Sequence, residues 1–198
     1  MNTHDTKIIE QFTLPDNLPV PENDGACDHL LGLEIPSIKL QSTQNRWIDV
    51  RQQSQKATVF FFYPRTGEAG RIMPEDWDMI PGARGCTPQS CAFKEMYEEF
   101  LAEGFDVFGV SSQSNMYQQE FSERMTIPFG LLSDESFVLT KVLGLPTFEY
   151  QAQRLIKRLA FITAEGKIIK FFYPVFPPNE NAANVFRWIQ EQKLKNNI

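Results

Sequence analysis

Two of the three cysteines in the chain, Cys86 and Cys91, lie five residues apart within the stretch GCTPQSC, which spans residues 85–91. Thiols react with peroxides and with disulfides, and the thiolate is the nucleophilic form. This pair is therefore the first place in the sequence to look for redox chemistry.

The residues after Cys86 predict an amphipathic helix that ends at Gly104. Apolar residues recur every three to four positions along it: Ala92, Phe93, Met96, Tyr97, Phe100 and Leu101. Proline is accepted in the first turn of a helix, so Pro88 places Cys86 at or just before the helix start. The unpaired N–H groups and the dipole of that helix end favour the thiolate of Cys86 over the thiol.

The spacing of the two cysteines does not suit a disulfide within a regular helix. Residues five apart on a helix have Cα atoms about 8.5 Å apart, whereas a disulfide needs about 4.4 to 6.8 Å. If Cys86 and Cys91 form a disulfide, the first turns of the helix must unwind. The reduced and oxidised forms must then differ in structure at this point.

The elements around this helix predict an α/β fold. Residues 57–64 form an uninterrupted apolar run that ends at a proline, as expected of a central strand covered on both faces. A strand at 105–110 and a helix at 115–125 follow the cysteine helix, and this alternation implies parallel strands joined by right-handed crossovers. The sequence therefore predicts a central mixed β-sheet flanked by helices on both faces.

The other predicted elements flank this centre. Residues 35–40 and 47–50 predict an N-terminal β-hairpin, and residues 155–163 and 168–173 predict an antiparallel hairpin at one edge of the sheet. Residues 65–84 contain several glycines and prolines and predict a long loop, which is either functional or a sign of an unrecognised element. The last predictions are a strand at 127–132, a helix at 135–143 capped by Ser133 or Asp134, and a helix at 181–192 capped by Asn179 or Asn181.

Composition limits the classes of partner. The net charge is −6, and no basic run appears, so nucleic acid is not an expected partner. No apolar run is long enough to span a membrane, and we expect a soluble, cytoplasmic protein. With 198 residues, the expected organisation is an extended arm over residues 1–28 and one domain over residues 29–198. Three cysteines, an odd number, fit a reducing compartment better than a disulfide framework.

A zinc site is an alternative use of the cysteines. Cys27 and His29 lie close together at the end of the predicted arm, and Cys86 and Cys91 would complete a set of four ligands. The spacing of Cys86 and Cys91 is wider than structural zinc sites favour. We therefore expect no metal, and a zinc-stabilised binding module remains an alternative.

Taken together, these residues resemble a known family. A strand that ends in Phe62-Tyr63-Pro64, a helix that opens with Gly-Cys-Thr, a second cysteine five residues on, and then a strand, two serines and a helix resemble peroxiredoxins of the Q or bacterioferritin comigratory protein type. The resemblance extends from about Ile35 to the last helix. It implies a thioredoxin-like fold.

The resemblance also implies a peroxidase cycle on hydrogen peroxide and organic hydroperoxides. Cys86 would be oxidised to a sulfenic acid and resolved by Cys91 as an intramolecular disulfide, without a metal or an organic cofactor. Thioredoxin or a similar dithiol would restore both thiols. An intramolecular resolving cysteine removes the chemical need for a dimer, so a monomer or weak dimer is expected. The alternative is a redox sensor or thiol-disulfide exchange protein without efficient peroxide turnover.

The family resemblance selects further site residues. It places the active-site arginine at Arg158, just before Leu159-Ala160-Phe161, in preference to its neighbours Arg154 and Lys157. We interpret this arginine as a cation on an apolar strand that stabilises the Cys86 thiolate and the charge developing on peroxide oxygen.

One part of the family pattern is missing. Peroxiredoxins carry a proline seven residues and a threonine three residues before the reactive cysteine, but here those positions hold Met79 and Ala83. We interpret residues 65–84 as an insertion, with Pro64 in place of the proline and Thr66 folding back to supply the hydroxyl. The predicted substrate-binding set is Pro64, Thr66, Gly85 and Thr87.

Overall fold

The computed structural model describes residues 14–71 and 73–195. The strands in these ranges are β1 (Lys39–Ser42), β2 (Arg46–Asp49), β3 (Thr58–Phe62), β4 (Asp106–Ser111), β5 (Gly130–Ser133), β6 (Thr147–Tyr150), β7 (Gln153–Ile156), β8 (Leu159–Ala164) and β9 (Lys167–Phe172). The helices are α1 (Val50–Ser54), α2 (Glu75–Asp78), α3 (Cys86–Glu95), α4 (Tyr97–Ala102), α5 (Asn115–Met125), α6 (Val138–Val142) and α7 (Asn181–Leu194). Two short 3-10 turns cover Asp28–Leu30 and Pro178–Glu180.

Seven of the strands in the described ranges form one mixed sheet in the order β2-β1-β5-β4-β3-β8-β9. The central neighbours β3, β4 and β5 are parallel, and every other pair is antiparallel. The predicted N-terminal hairpin is present as β1 and β2, and β1 extends the sheet by pairing with β5. Antiparallel strands therefore lie at both edges, whereas the sequence places them at one edge and treats the first hairpin separately.

The alternation of side chains along β3 creates two hydrophobic cores. Val59, Phe61 and Tyr63 face one side of the sheet, where they pack with residues of α3, α4, α5 and α7. Phe60 and Phe62 face the other side and share a core with residues of α6. All five residues of β3 are buried. The predicted α/β fold, with a central mixed sheet and helices on both faces, is confirmed.

The predicted helix after Cys86 is interrupted. It begins at Cys86, as expected, but α3 ends at Glu95 and α4 resumes at Tyr97. Met96 lies between them with φ −99° and ψ 8°, outside the helical region. Phe93 and Phe100 are buried on the sheet side, whereas Leu101 is 38% exposed. The apolar period continues through Met96 because both short helices pack against the same core, so the period alone does not reveal the break.

The predicted strand over residues 155–163 is two strands in two different sheets. β7 pairs with β6 in a separate two-stranded sheet, and β8 pairs with β3 and β9. The change of sheet falls on Lys157 and Arg158, where the Lys157 N–H donates to the Pro146 carbonyl. Arg158 therefore lies in a link between strands and not within a strand.

Among the described residues of the 65–84 segment, Glu75–Asp78 form a short helix, α2, and Trp77 and Ala83 are buried. Trp77 in α2 is 1% exposed and makes an edge-to-face contact with Tyr150 of β6, with ring centroids 5.0 Å apart. Ala83 and Leu155 belong to the same small apolar cluster. The segment is therefore attached to the β6–β7 sheet, and its short helix is an element that the sequence pattern did not identify.

Of the two predicted helix caps, the one by Asp134 is present and the one at α7 is not. The Asp134 carboxylate accepts hydrogen bonds from the N–H groups of Leu139 and Thr140, but the helix begins at Val138 and not at residue 135. At α7, the residue before the helix is Glu180, and its side chain makes no capping hydrogen bond. The predicted cap by Asn179 or Asn181 is wrong, because Glu180 holds the position before the helix and the Asn181 side chain accepts from Gln89.

The N-terminal arm lies partly outside the described residues, which begin at Leu14. Residues 14–27 contain no helix or strand, and Cys27 at their end is fully buried. The division of the chain at residue 28 stays a prediction. Within the described ranges, no helix is both long enough and apolar enough to cross a membrane.

Candidate active site

The register of the sheet brings Arg158 to the reactive cysteine. Phe62, the last residue of β3, is paired with Leu159, the first residue of β8, in the antiparallel direction. Arg158 therefore lies beside the residues that follow β3, at the end of the sheet where α3 begins. Cys86 is the first residue of α3 and packs on the same face of the sheet as Phe61.

Two N–H donors point at the sulfur of Cys86. Arg158 Nη2 lies 3.2 Å from Cys86 Sγ, and the backbone nitrogen of Arg65 lies 3.4 Å from it. The protonated thiol has an acceptor in the Ala83 carbonyl, 3.6 Å away. Cys86 is 3% exposed, so these contacts lie in a low-dielectric environment where they act strongly. A thiolate at this position accepts two hydrogen bonds, one of them from a cation.

The guanidinium of Arg158 is held by the end of the 65–84 segment. Its Nε donates to Gly82 O at 3.2 Å, and Nη2 lies 3.0 Å from Ala83 O and 3.1 Å from Arg84 O. Its Nη1 donates to Gln89 Oε1 in α3. Arg158 is 3% exposed, and these acceptors satisfy a cation that would be costly to bury alone.

The neighbouring cations are occupied elsewhere. Lys157 Nζ forms an ion pair with Asp24 at 2.9 Å, and Arg154 Nε donates to Thr147 Oγ1 at 3.0 Å. Of the three basic residues weighed from the sequence, the structure brings Arg158 to Cys86. Arg158 reaches Cys86 because of the register between β3 and β8. The apolar pattern of this region does not predict that register.

The position of the missing threonine contributes its backbone carbonyl to the site. Ala83 has no hydroxyl, but its carbonyl accepts from Arg158 and faces Cys86 Sγ. Thr66 is 1% exposed, and its hydroxyl and its N–H both donate to Gln113 Oε1, at 3.1 and 2.9 Å. The Thr66 carbonyl accepts from Tyr117 at 2.9 Å. The Thr66 hydroxyl is thus hydrogen-bonded to Gln113. The predicted role of this hydroxyl in binding peroxide stays a prediction.

The other predicted substrate-binding residues surround the start of α3. The Pro64 carbonyl accepts from Ser111 Oγ at 3.2 Å, and Thr87 is buried in the first helical turn. Gly85 has φ +101°, and a Cβ atom there would overlap Pro178 Cγ. Only glycine fits this position, since a side chain would meet both an unfavourable backbone conformation and a steric clash.

The second cysteine of the pair is in the same helix. Cys91 is half-buried in α3, and all three cysteines are free thiols in this structure. Burial raises the pKa of the Cys91 thiol above its ordinary value, and the neighbouring Lys94 opposes this effect. Cys91 is therefore held as a neutral thiol while the helix is intact.

The four residues of the zinc alternative do not come together. Cys27 belongs to the core on the α6 face of the sheet, whereas Cys86 belongs to the core on the opposite face. His29 Nε2 lies 2.9 Å from the Leu143 carbonyl. Among residues 14–71 and 73–195, no group of three or more histidine, cysteine and acidic side chains is arranged to hold a metal ion.

Sequence reasoning missed three amide side chains, of which Gln89 and Asn181 are buried. Gln89 contacts Arg158, Asn181 accepts from Gln89 at 2.8 Å, and Gln113 holds Thr66. Gln89 lies three residues after Cys86. This short spacing is the one feature of the sequence that could have marked Gln89 as a site residue. Nothing local to Gln113 or Asn181 marks them, because each contact joins residues far apart in sequence.

Comparison with known proteins gives a consistent assignment. The model of the Redoxin family matches residues 30–186. Chloroplastic peroxiredoxin Q of Populus jackii is 32% identical over 186 residues, covering 91% of this chain and 79% of that protein. Chloroplastic peroxiredoxin Q of Oryza sativa subsp. japonica is 26% identical over 160 residues, which cover 80% of this chain and 66% of the rice protein. The chain thus spans about two thirds of the length of the rice relative.

Solved structures confirm the thioredoxin-like peroxiredoxin fold. The bacterioferritin comigratory protein of Xanthomonas campestris, a protein with alkyl peroxide reduction activity, matches with a TM-score of 0.61 at 19% identity. The match covers 89% of this chain and 98% of that structure. At this level of identity the likeness establishes the fold.

Proposed function

Because the chain belongs to the Redoxin family, as a peroxiredoxin of the Q type, we propose that it is a thiol-dependent peroxidase that reduces hydrogen peroxide and organic hydroperoxides. Peroxiredoxins are oxidoreductases that act on peroxides with thioredoxin-type reductants. The observation that carries the proposal is the pair of N–H donors, from Arg158 and Arg65, on the sulfur of Cys86 at a helix start. The alkyl peroxide reduction activity of the Xanthomonas protein supports the inclusion of organic hydroperoxides.

In the first step, the Cys86 thiolate attacks one oxygen of the peroxide O–O bond. An S–O bond forms, the O–O bond breaks, and the departing oxygen takes a proton to leave as water or an alcohol. Cys86 becomes a sulfenic acid. The guanidinium of Arg158 stabilises both the thiolate and the negative charge that develops on the peroxide oxygens, because it lies 3.2 Å from Sγ in a site closed to bulk water.

In the second step, Cys91 resolves the sulfenic acid. The Cys91 sulfur attacks Cys86 Sγ, an S–S bond forms, and the hydroxyl group leaves as water with the thiol proton. The two cysteines share α3, and residues five apart on a helix have Cα atoms about 8.5 Å apart. A disulfide between them requires the first turns of α3 to unwind, and this unwinding breaks the contact between Gln89 and Arg158.

In the third step, an external dithiol reduces the disulfide. A thiolate of thioredoxin, or of a similar protein, attacks the disulfide, and its second thiol releases the mixed disulfide. Both cysteines return to thiols, and α3 can reform. The cycle uses no metal and no organic cofactor, and it can run within a monomer.

Peroxide consumption by three forms of the protein tests this proposal. With thioredoxin, thioredoxin reductase and NADPH present, the wild type should turn over hydrogen peroxide and an alkyl hydroperoxide repeatedly. Cys86→Ser should consume neither. Cys91→Ser should react once with peroxide, because Cys86 is intact, but should not be recycled through the intramolecular disulfide.

Two outcomes would contradict the proposal. If Cys86→Ser retains turnover, Cys86 is not the reacting thiol. If the wild type forms the disulfide but thioredoxin and other dithiols do not reduce it, the protein is a redox sensor and not a peroxidase that turns over.

A further inference from the structure

A buried series of hydrogen bonds connects α7 to the reactive cysteine. Asn181, the first residue of α7, accepts at Oδ1 from Gln89 Nε2 at 2.8 Å. Gln89 Oε1 accepts from Arg158 Nη1, and Arg158 Nη2 lies 3.2 Å from Cys86 Sγ. Asn181, Gln89 and Arg158 are 2%, 0% and 3% exposed. At such burial a lost protein partner leaves an unsatisfied polar group, at substantial cost.

The amide of Gln89 must face one way for this series to exist. Arg158 only donates hydrogen bonds, so the oxygen of the Gln89 amide must face it. The NH₂ group then faces the opposite side, where it needs an acceptor. Asn181 Oδ1 is that acceptor. If the Gln89 amide were rotated by about 180°, its NH₂ group would face the N–H groups of Arg158 and neither could accept a hydrogen bond.

The location of Asn181 fits this role better than a capping role. Glu180 occupies the position before α7 without a capping side chain, and Asn181 is turned inward, where it is 2% exposed. A buried amide is retained in proteins when it has a partner. The adjacent turn Pro178–Glu180 packs closely on Gly85, so the start of α7 is fixed relative to the start of α3.

We propose that Asn181 is a positioning residue for the peroxide step. It orients the Gln89 amide, which in turn holds the Arg158 guanidinium against Cys86 Sγ. Asn181 acts through Gln89 and does not touch the reacting atoms. This inference rests on the proposed peroxidase function and adds α7 to the parts of the fold that determine its rate.

The first test replaces the acceptor with an apolar side chain of similar size. Asn181→Leu should slow the oxidation of Cys86 by one equivalent of hydrogen peroxide by about tenfold, because the guanidinium is no longer held in place. The rate is measured in a single turnover by rapid quenching, alkylation of the remaining thiols and mass spectrometry. The matched control is Asn184→Leu on the same helix, whose side chain accepts from Arg187 at the surface. It should stay within about twofold of the wild type.

The second test separates orientation from packing. In a Gln89→Glu background both side-chain oxygens are acceptors, so no partner is needed to orient them. Adding Asn181→Leu to Gln89→Glu should change the rate of Cys86 oxidation by less than about threefold. If Asn181→Leu does not fold, Asn181→Ala removes the same acceptor without added bulk and serves in both backgrounds.

The outcomes distinguish this inference from the proposed function. An equal loss in the wild-type and Gln89→Glu backgrounds, or no loss in either, overturns the role of Asn181 while the peroxidase assignment stands. If peroxide does not oxidise Cys86 in the wild type, both are overturned. A loss confined to the wild-type background, where Gln89 is intact, supports the positioning role.

Discussion

Two cysteines of this protein are almost equally buried, but their surroundings are opposite. Cys86 is 3% exposed and Cys27 is 0% exposed. The sulfur of Cys86 faces N–H groups of Arg158 and Arg65. Cys27 lies in an apolar core, and burial, together with the nearby carboxylates of Asp24 and Asp28, raises its pKa from 9.0 to about 12.

The comparison shows that burial alone does not determine the chemistry of a thiol. A buried thiol without donors stays protonated and behaves as a small apolar side chain. A buried sulfur that faces a guanidinium, a backbone N–H and a helix start has donors placed to stabilise negative charge that develops in a reaction. Variants that alter one of the two cysteine sites at a time test this contrast.

The largest effect is expected from the cysteines themselves. Cys86→Ser should lower peroxide consumption by more than about a thousandfold, because a hydroxyl is not an effective nucleophile at neutral pH. Cys27→Ala should stay within about twofold of the wild type, because its thiol has no part in the cycle. Both are measured as the second-order rate constant for hydrogen peroxide. A large loss in Cys27→Ala, in protein shown to be folded, would mean that the contrast between the two sites is wrong.

Removing the cation at Cys86 should produce the next largest effect. Arg158→Met keeps much of the side-chain volume but removes the donor to Sγ, and the rate of Cys86 oxidation should fall by about a hundredfold. Arg154→Met is the matched control, since Arg154 donates to Thr147 and lies at the surface. The two variants should differ by more than about tenfold in stopped-flow oxidation. Equal rates would show that the guanidinium of Arg158 does not assist the reaction.

Gly85→Ala tests how strictly the start of α3 is constrained. The added Cβ would overlap Pro178 Cγ, and φ is +101°. Gly104 also has a positive φ, +81°, but a Cβ there meets nothing within 4 Å. Gly104→Ala should therefore lose about 1 kcal/mol of unfolding free energy from backbone strain alone. Gly85→Ala should lose about 1 to 3 kcal/mol more, from the clash with Pro178.

Urea denaturation of both glycine variants measures these losses. The Gly85→Ala variant should also oxidise Cys86 more slowly, because the clash shifts the helix start that carries the thiol. If the two variants lose equal stability, the close contact between Gly85 and Pro178 does not exist in solution.

The smallest expected effect is the pH dependence of stability due to Cys27. Its thiol stays protonated in the folded protein up to about pH 12, whereas in the unfolded chain it ionises above about pH 9. The unfolded state then binds fewer protons, so stability falls as pH rises above 9, by at most about 1.4 kcal/mol per pH unit. Cys27→Ala lacks this contribution.

The pH effect is read as the difference in unfolding free energy between the wild type and Cys27→Ala. Groups common to both proteins cancel in this difference. The unfolding free energy of the wild type, relative to that of Cys27→Ala, should fall progressively between about pH 9 and about pH 10.5. This interval lies within the pH range in which the Cys27 thiol is ionised in the unfolded chain and protonated in the folded protein. A difference that stays constant with pH would show that Cys27 is accessible to water in the folded protein.

The sequence was sufficient for the elements with strong local signals. The buried run of β3, the helix start at Cys86 and the bounds of α5 at 115–125 are all confirmed. These signals are local, because a buried strand, a proline in a first helical turn and a 3.6-residue period are each visible within one segment. The family resemblance added Arg158, and the structure gives the reason, namely the register between Phe62 and Leu159.

The errors concern contacts between distant segments. Apolar residues lie on both sides of Lys157 and Arg158, because the strands before and after them, β7 and β8, both pack against apolar cores. The two strands belong to different sheets, and the apolar pattern does not show this change. Asn181 has the residue type of a helix cap, but its side chain is used by Gln89, which lies in another helix. The roles of Thr66 and the N-terminal arm, and the cytoplasmic location, stay predictions.

The most direct measurement is the mapping of disulfides after one equivalent of hydrogen peroxide is added to the fully reduced protein. We expect a mass lower by two hydrogens, located in a single peptide that links Cys86 to Cys91, with Cys27 still available for alkylation after unfolding. A linkage that includes Cys27, a disulfide between two chains, or no change at Cys86 would contradict it.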